Sequence, residues 1–162
     1  MIRYCPHCWS ENTYEAVVCA SCGASLDESA KDFVTRLIDA VYHPEPTRAA
    51  LAIEILGRLV EPGAVDAMLT RLARKPDSMD VTTAAAKALG LIGEGRAVPG
   101  LAKVLLDGER PLPGRLAAAE ALAALGGTAA EEALRTALDM PHLPVLLRRV
   151  VESTLAGGVS IA

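Results

Sequence analysis

Leu56, Leu89, Leu122 and Leu155 stand 33 residues apart, and the same interval separates Leu59, Ile92 and Leu125, Met68, Leu101 and Leu134, and Leu72, Leu105 and Leu138. A fixed recurrence of about 20–50 residues marks one supersecondary unit that is copied and stacked, because a single copy cannot bury its apolar face alone. The period therefore predicts a mainly α architecture, a short right-handed α-solenoid of helical hairpins. It also restricts function. A stacked array is normally a holding surface, and the residues that choose a partner are those the repeat leaves free to vary.

Within the period, spacing gives the helices. Helix A is predicted over 47–60, 81–92 and 115–125, and helix B over 63–74, 97–106 and 129–138; a fourth copy keeps only 143–156. Ala52, Leu56 and Leu59 recur as Ala85, Leu89 and Ile92 and as Ala118, Leu122 and Leu125. The i, i+4, i+7 pattern puts each set on one buried face, with alanine allowing helix axes to come close. Glu61-Pro62-Gly63, Gly93-Glu94-Gly95 and Gly126-Gly127 turn A into B, while Pro76, Pro111-Leu112-Pro113 and Pro141 separate the copies. Ahead of the array, Asp27 is expected to cap a helix running to about Tyr42, with Phe33, Leu37 and Val41 on its packing face. His43-Pro44-Glu45-Pro46 stops it. Aromatic residues are only 3% of the chain against 51% apolar, which favours close helices over a sheet.

All four cysteines precede that helix, as Cys5-Pro6-His7-Cys8 and Cys19-Ala20-Ser21-Cys22 with ten residues between the pairs. Each Cys-x-x-Cys loop turns two thiolates toward one point, and two loops facing each other supply the tetrahedral sulfur set that Zn²⁺ takes in closed structural sites. Gly23 provides the φ > 0 freedom for N–H groups to turn back toward sulfur, and Pro6 stiffens the first loop. Two disulfides, a thioredoxin-like redox pair and iron are the competing readings. A reducing compartment, the lack of a βαβ setting and the short spacer weigh against each in turn.

The run CPHC, ten residues and CASCG, followed by Ala24-Ser25-Leu26, resembles the short zinc ribbon found at the ends of many bacterial and archaeal proteins. The resemblance implies one structural zinc held by Cys5, Cys8, Cys19 and Cys22 on two small β-turns, with Ile2 and Tyr4, then Val17 and Val18, as flanking strands. Metal would supply most of the folding free energy of so short a segment. Trp9, the single tryptophan, is expected to be a lid over the ribbon or against the helices, with His7 on the surface.

Ala88 to Asp107, ALGLIGEGRAVPGLAKVLLD, resembles the HEAT-like repeat named after phycobilisome lyases, and the resemblance extends over about residues 44–156. That family usually has Val-Arg just before the next helix A. Here the arginine survives as Arg48, Arg115 and Arg148, with the expected role of satisfying carbonyls at the preceding turn. Iron hydroxylases built from such repeats use His-Glu pairs, but the corresponding positions read Ile53-Glu54, Ala86-Lys87 and Ala119-Glu120. Bilin lyases of this type are longer arrays, so lyase-like or other accessory activity is a minor alternative, and no motif nominates catalytic residues.

These readings divide the chain into a zinc ribbon (1–26), a capping helix and linker (27–43), the repeat array (44–158) and a tail (159–162). They describe a cytoplasmic, zinc-binding, non-catalytic scaffold for a protein partner. The N-terminus lacks a signal-peptide pattern, and no apolar run approaches the ~18 residues of a membrane span. Asp66, Thr70, Arg74, Lys103, Glu132 and Arg135 on helices B, together with Trp9, are the candidate partner contacts. A nucleic-acid module working through Arg3, His7 and Trp9 is the rival. Against it, residues 1–30 set Arg3 against Glu11, Glu15, Asp27 and Glu28, and the rest of the chain carries 15 basic and 16 acidic side chains. An apolar face of Val145, Val151 and Leu155, left partly open by the missing last helix, offers a surface that a homodimer would cover.

Overall fold

The computed structural model describes residues 1–157, so the tail expected over 159–162 lies outside the described residues. Two short strands, β1 (Ile2–Tyr4) and β2 (Glu11–Thr13), form an antiparallel pair with Arg3 opposite Asn12. Val17 and Val18 do not form the partner strand that the ribbon resemblance implied. Val18 instead makes an isolated bridge to Ser25, closing the second cysteine loop on itself. Arg3 donates to the Leu26 carbonyl and ties the start of the ribbon to its end.

Eight α-helices follow among the described residues: α1 (Phe33–Ala40), α2 (Pro46–Arg58), α3 (Val65–Leu72), α4 (Met79–Ile92), α5 (Val98–Leu106), α6 (Leu112–Leu125), α7 (Thr128–Leu138) and α8 (Val145–Leu155). They make the solenoid-like array that the 33-residue period predicts. Two of the starts that differ from expectation are those of α1 and α6. The cap of α1 is Asp32, which accepts the Thr35 N–H, while Asp27 closes a separate turn by accepting the Ser29 N–H. Phe33 consequently sits at the exposed first position of α1, leaving Leu37 and Val41 to pack. Pro111-Leu112-Pro113 is also not a mere spacer. α6 begins at Leu112 with Pro113 in its first turn, where a missing N–H costs nothing.

One core runs from Val41 to Val151, and a second, small one consists of Cys5, Cys19 and Leu26 with Ala16 and Ala24 against them. Leu56, Leu89 and Leu122 are fully buried in the first, as are Met68 and Leu101. Leu59 departs from its periodic set: it is the C-cap of α2 and is 53% exposed. The C-terminal face is covered in part. Val151 is fully buried against the array and Leu155 is half-buried, so only Val145 and Leu146 are left open on α8. Of the expected stripe, Val151 serves the chain's own core and Val145 stays exposed.

Helices A form the tighter layer, because small residues meet between them. A Cβ placed on Gly57 of α2 would lie 2.7 Å from the Ala88 Cβ and 2.9 Å from its Cα, and one on Gly90 of α4 would lie 2.9 Å and 3.0 Å from the same atoms of Ala121. The two glycines stand 33 residues apart and serve the same contact in successive copies. Alanine in place of glycine within a helix ordinarily gains about 0.5–1 kcal/mol. Here the added methyl meets backbone that cannot rotate away, and overpacking costs about 1–3 kcal/mol. Gly57→Ala and Gly90→Ala are therefore expected to lower the urea midpoint, against their helix propensity. A raised midpoint would show that the helices separate freely.

Each helix B ends on carbonyls that an arginine takes up. Arg115, nearly fully buried, donates from Nε to the Leu105 carbonyl at 2.9 Å, and Arg148 reaches the Leu138 carbonyl at 3.4 Å. These two match the expected role. Arg48 does not, since it pairs at the surface with Glu45. Leu72 occupies the same repeat position as Leu105 and Leu138, and Thr82 stands there where Arg115 and Arg148 stand in later copies. Its carbonyl is taken by Arg110, which arrives from the far side of the next hairpin at 2.8 Å and also bonds the Arg74 carbonyl. At the end of α1 the donor is Arg71, bonded to the carbonyls of Val41 and His43.

Candidate metal centre

The four cysteine sulfurs converge. All lie within 4.8 Å of one another, with Cys5 Sγ 3.7 Å from Cys22 Sγ and Cys8 Sγ 3.6 Å from Cys19 Sγ. Zinc bonded to four thiolates at about 2.3 Å separates the sulfurs by about 3.8 Å, so the donor set fits a tetrahedral ion with small adjustment. The closest approaches run between the loops rather than within them. Each loop contributes one buried and one exposed thiol, Cys5 with Cys8 and Cys19 with Cys22.

Local backbone explains the convergence. In each loop a residue after the second cysteine takes the left-handed conformation, Gly23 at φ +72° and Trp9 at φ +60°. Glycine adopts this freely, whereas tryptophan does so at a cost. The N–H of each closes its loop by bonding the carbonyl of the first cysteine, Gly23 to Cys19 at 2.9 Å and Trp9 to Cys5 at 2.8 Å. The Trp9 ring is held in return. It stands edge-on to His43, centroids 5.3 Å apart, and Tyr4 approaches the same imidazole at 4.8 Å. The lid thus faces the helices, and His43 is the post between ribbon and array.

Charge in the cluster is uneven. Cys19 is held down to about 5, first by the Ser10 hydroxyl and then by the N–H groups of Cys22 and Ser21. The Ala24 N–H pulls Cys22 down, but the neighbouring Cys8 sulfur, the partial loss of solvent and the Cys19 and Cys5 thiols outweigh this and push it up to about 12. A divalent cation at the centre removes that mutual opposition.

Ser10 and Asn12 are the residues that sequence spacing misses. Ser10 Oγ lies 3.0 Å from Cys8 Sγ and 3.2 Å from Cys19 Sγ. Asn12 is buried; its Nδ2 donates to the Ser10 carbonyl at 3.0 Å and points at Cys19 Sγ at 3.6 Å, while its Oδ1 accepts the Ala20 N–H at 3.0 Å. In β2, exposed-buried-exposed, Asn12 is the residue that faces inward, but Glu11-Asn12-Thr13 are all polar and the sequence gives no sign of it.

His43 gives the seam a pH dependence. Burial, with the Arg48 charge second, pushes its pKa below the usual histidine value, and its Nδ1 accepts the Glu45 N–H at 3.0 Å. The folded state therefore favours the neutral ring, and the unfolded chain binds the extra proton first. The stabilisation is present above the unfolded value of about 6.5 and is lost as pH falls through the lower folded value. Urea midpoints at pH 7.5 and 5.0 are expected to differ by less in His43→Phe than in the parent; an equal difference would remove His43 from the seam.

The candidate partner residues of helices B are all exposed, but several are occupied. Asp66 pairs with Arg96 of the next copy at 2.6 Å, Arg135 pairs with Glu131, and Thr70 bonds back to its own helix. Arg74 lies over the Tyr42 ring at 5.6 Å. Among the described residues Lys103 and Glu132 make no ion pair. A cavity of ≈ 480 Å³ lies on the helix A side between α2 and α4, with Glu54, Arg58, Asp80 and Lys87 at its walls. No helix among the described residues is long and apolar enough to cross a membrane.

Comparison with known families agrees with this architecture. Residues 34–112 match the family model of HEAT repeats. Residues 114–140 match that of the PBS lyase HEAT-like repeat. No curated protein matches the chain.

Proposed function

We infer that this protein, an array of HEAT repeats behind a paired-knuckle ribbon, is a zinc-binding, non-catalytic scaffold that docks a protein partner. The observation that carries the metal half of the reading is the convergence of Cys5, Cys8, Cys19 and Cys22 at spacings that suit one tetrahedral zinc. A reducing compartment such as the cytoplasm suits four free thiols. Protein prepared without added metal is expected to carry one zinc per chain by elemental analysis. A stoichiometry well below one, or iron in its place, would overturn this half.

The partner half rests on the repeat itself. Recurring positions of the array are apolar and serve the core, which leaves recognition to side chains that vary from copy to copy. Among the described residues Lys103 and Glu132 are exposed charges of the helix B face without an ion pair, and Asp66, Thr70, Arg74 and Arg135 are the other candidates. Trp9, half-buried and packed edge-on against His43 at the ribbon junction, completes the set of candidate contacts. Charge reversal at Lys103 and Glu132 is expected to remove captured proteins that charge reversal at Glu54 and Lys87 leaves in place. The opposite pattern moves the docking face to helices A.

A further inference from the structure

Four thiolates around one divalent ion leave a net charge of −2 in a small, half-buried site, and donors aimed at the sulfurs offset it. The ribbon supplies them from one short segment. Ser10 Oγ touches a sulfur of each loop, Cys8 at 3.0 Å and Cys19 at 3.2 Å. Its single proton serves one sulfur at a time, and Asn12 complements it with an N–H directed at Cys19. The amide is held the right way round, because its oxygen takes the Ala20 N–H and its nitrogen takes the Ser10 carbonyl. That carbonyl also accepts the Cys5 N–H at 3.0 Å, so this segment bonds backbone or sulfur of Cys5, Cys8 and Cys19.

We propose that Ser10 and Asn12 are positioning residues of the metal centre: their hydroxyl and amide groups neutralise the sulfurs of Cys8 and Cys19 and hold the two loops in register for the ion. The proposal rests on the zinc reading above. Outer partners of metal ligands are typically worth about 10–100-fold in affinity. Asn12→Asp is the sharpest variant, since it keeps the acceptor for Ala20 and replaces the donor facing Cys19 with a negative charge.

The test is a competition titration of the full chain with a chromophoric zinc chelator, alongside spectra of the cobalt(II) form. Ser10→Ala is expected to weaken zinc by about tenfold, Ser10→Thr to stay within about twofold of the parent, and Asn12→Asp to fall below Ser10→Ala. The thiolate-to-cobalt charge-transfer band is expected to shift in Ser10→Ala and Asn12→Asp, which a purely structural role for these residues would not produce. Affinities of Ser10→Ala and Asn12→Asp within twofold of the parent with an unmoved band would overturn the proposal. So would equal weakening in Ser10→Ala and Ser10→Thr, because the hydroxyl would then be irrelevant. A parent chain that binds no zinc at all would instead defeat the zinc reading.

Discussion

Removal of metal by a strong chelator is expected to unfold the ribbon and leave the helices standing. The small core of Cys5, Cys19 and Leu26 is made largely of two of the clustered thiols, so little apolar area remains to hold the ribbon without the proposed ion. Metal binding supplies about 10–16 kcal/mol of folding free energy in zinc-finger peptides, and no contact visible in residues 1–26 approaches that. The array has its own core from Val41 to Val151 and owes nothing to the thiols. Trp9 reports the event. As the only tryptophan, its emission is expected to shift to the red when its left-handed backbone is released and its ring leaves His43. The far-UV helical signal is expected to change by only a few per cent. Cys19→Ser should reproduce the result without chelator. An unmoved emission after full metal loss would mean that the ribbon folds without the ion.

What the sequence makes legible depends on whether a position answers to the repeat or to a neighbour elsewhere. Leu56, Leu89 and Leu122 are read correctly because the same contact recurs in every copy. The cysteine cluster is legible for a related reason, since Cys-x-x-Cys spacing encodes a local loop. Ser10 and Asn12 are invisible because their partners are sulfurs brought in from another loop, and an isolated serine or asparagine carries no spacing signal. The end of the array misleads for a third reason. Helix periodicity identifies an apolar stripe on α8 but not which neighbour covers it, and α6 and α7 together bury Val151. The arginines combine both cases: Arg115 and Arg148 follow the repeat, whereas Arg110 takes the carbonyl of Leu72 from a loop that no periodicity connects to it.

Arg71 is the residue of the array whose loss is expected to cost most. Its side chain and that of Asp77 are 5% and 8% exposed, and they meet in a two-pronged pair at 2.6 and 3.1 Å. Nη1 then bonds the carbonyls of Val41 at 3.2 Å and His43 at 3.1 Å, which close the end of α1. Arg71→Ala leaves a buried carboxylate without its cation, a loss of about 3–5 kcal/mol. For a chain of this size that lowers Tm by roughly 10 °C. Arg71→Lys is expected to recover little, since a compact ammonium cannot span the carboxylate and both carbonyls at once. Asp77→Asn in the Arg71→Ala background separates the two parts of the cost. It neutralises the stranded carboxylate, so the stability it restores measures the charge, and the remaining deficit measures the two open carbonyls, about 1–3 kcal/mol each. Because the His43 carbonyl is one of them, Arg71→Ala should also loosen the imidazole under Trp9 and redden the tryptophan emission of the zinc-loaded protein. Thermal denaturation that shows Arg71→Ala within 1 °C of the parent would mean that water replaces the guanidinium and that the junction is open.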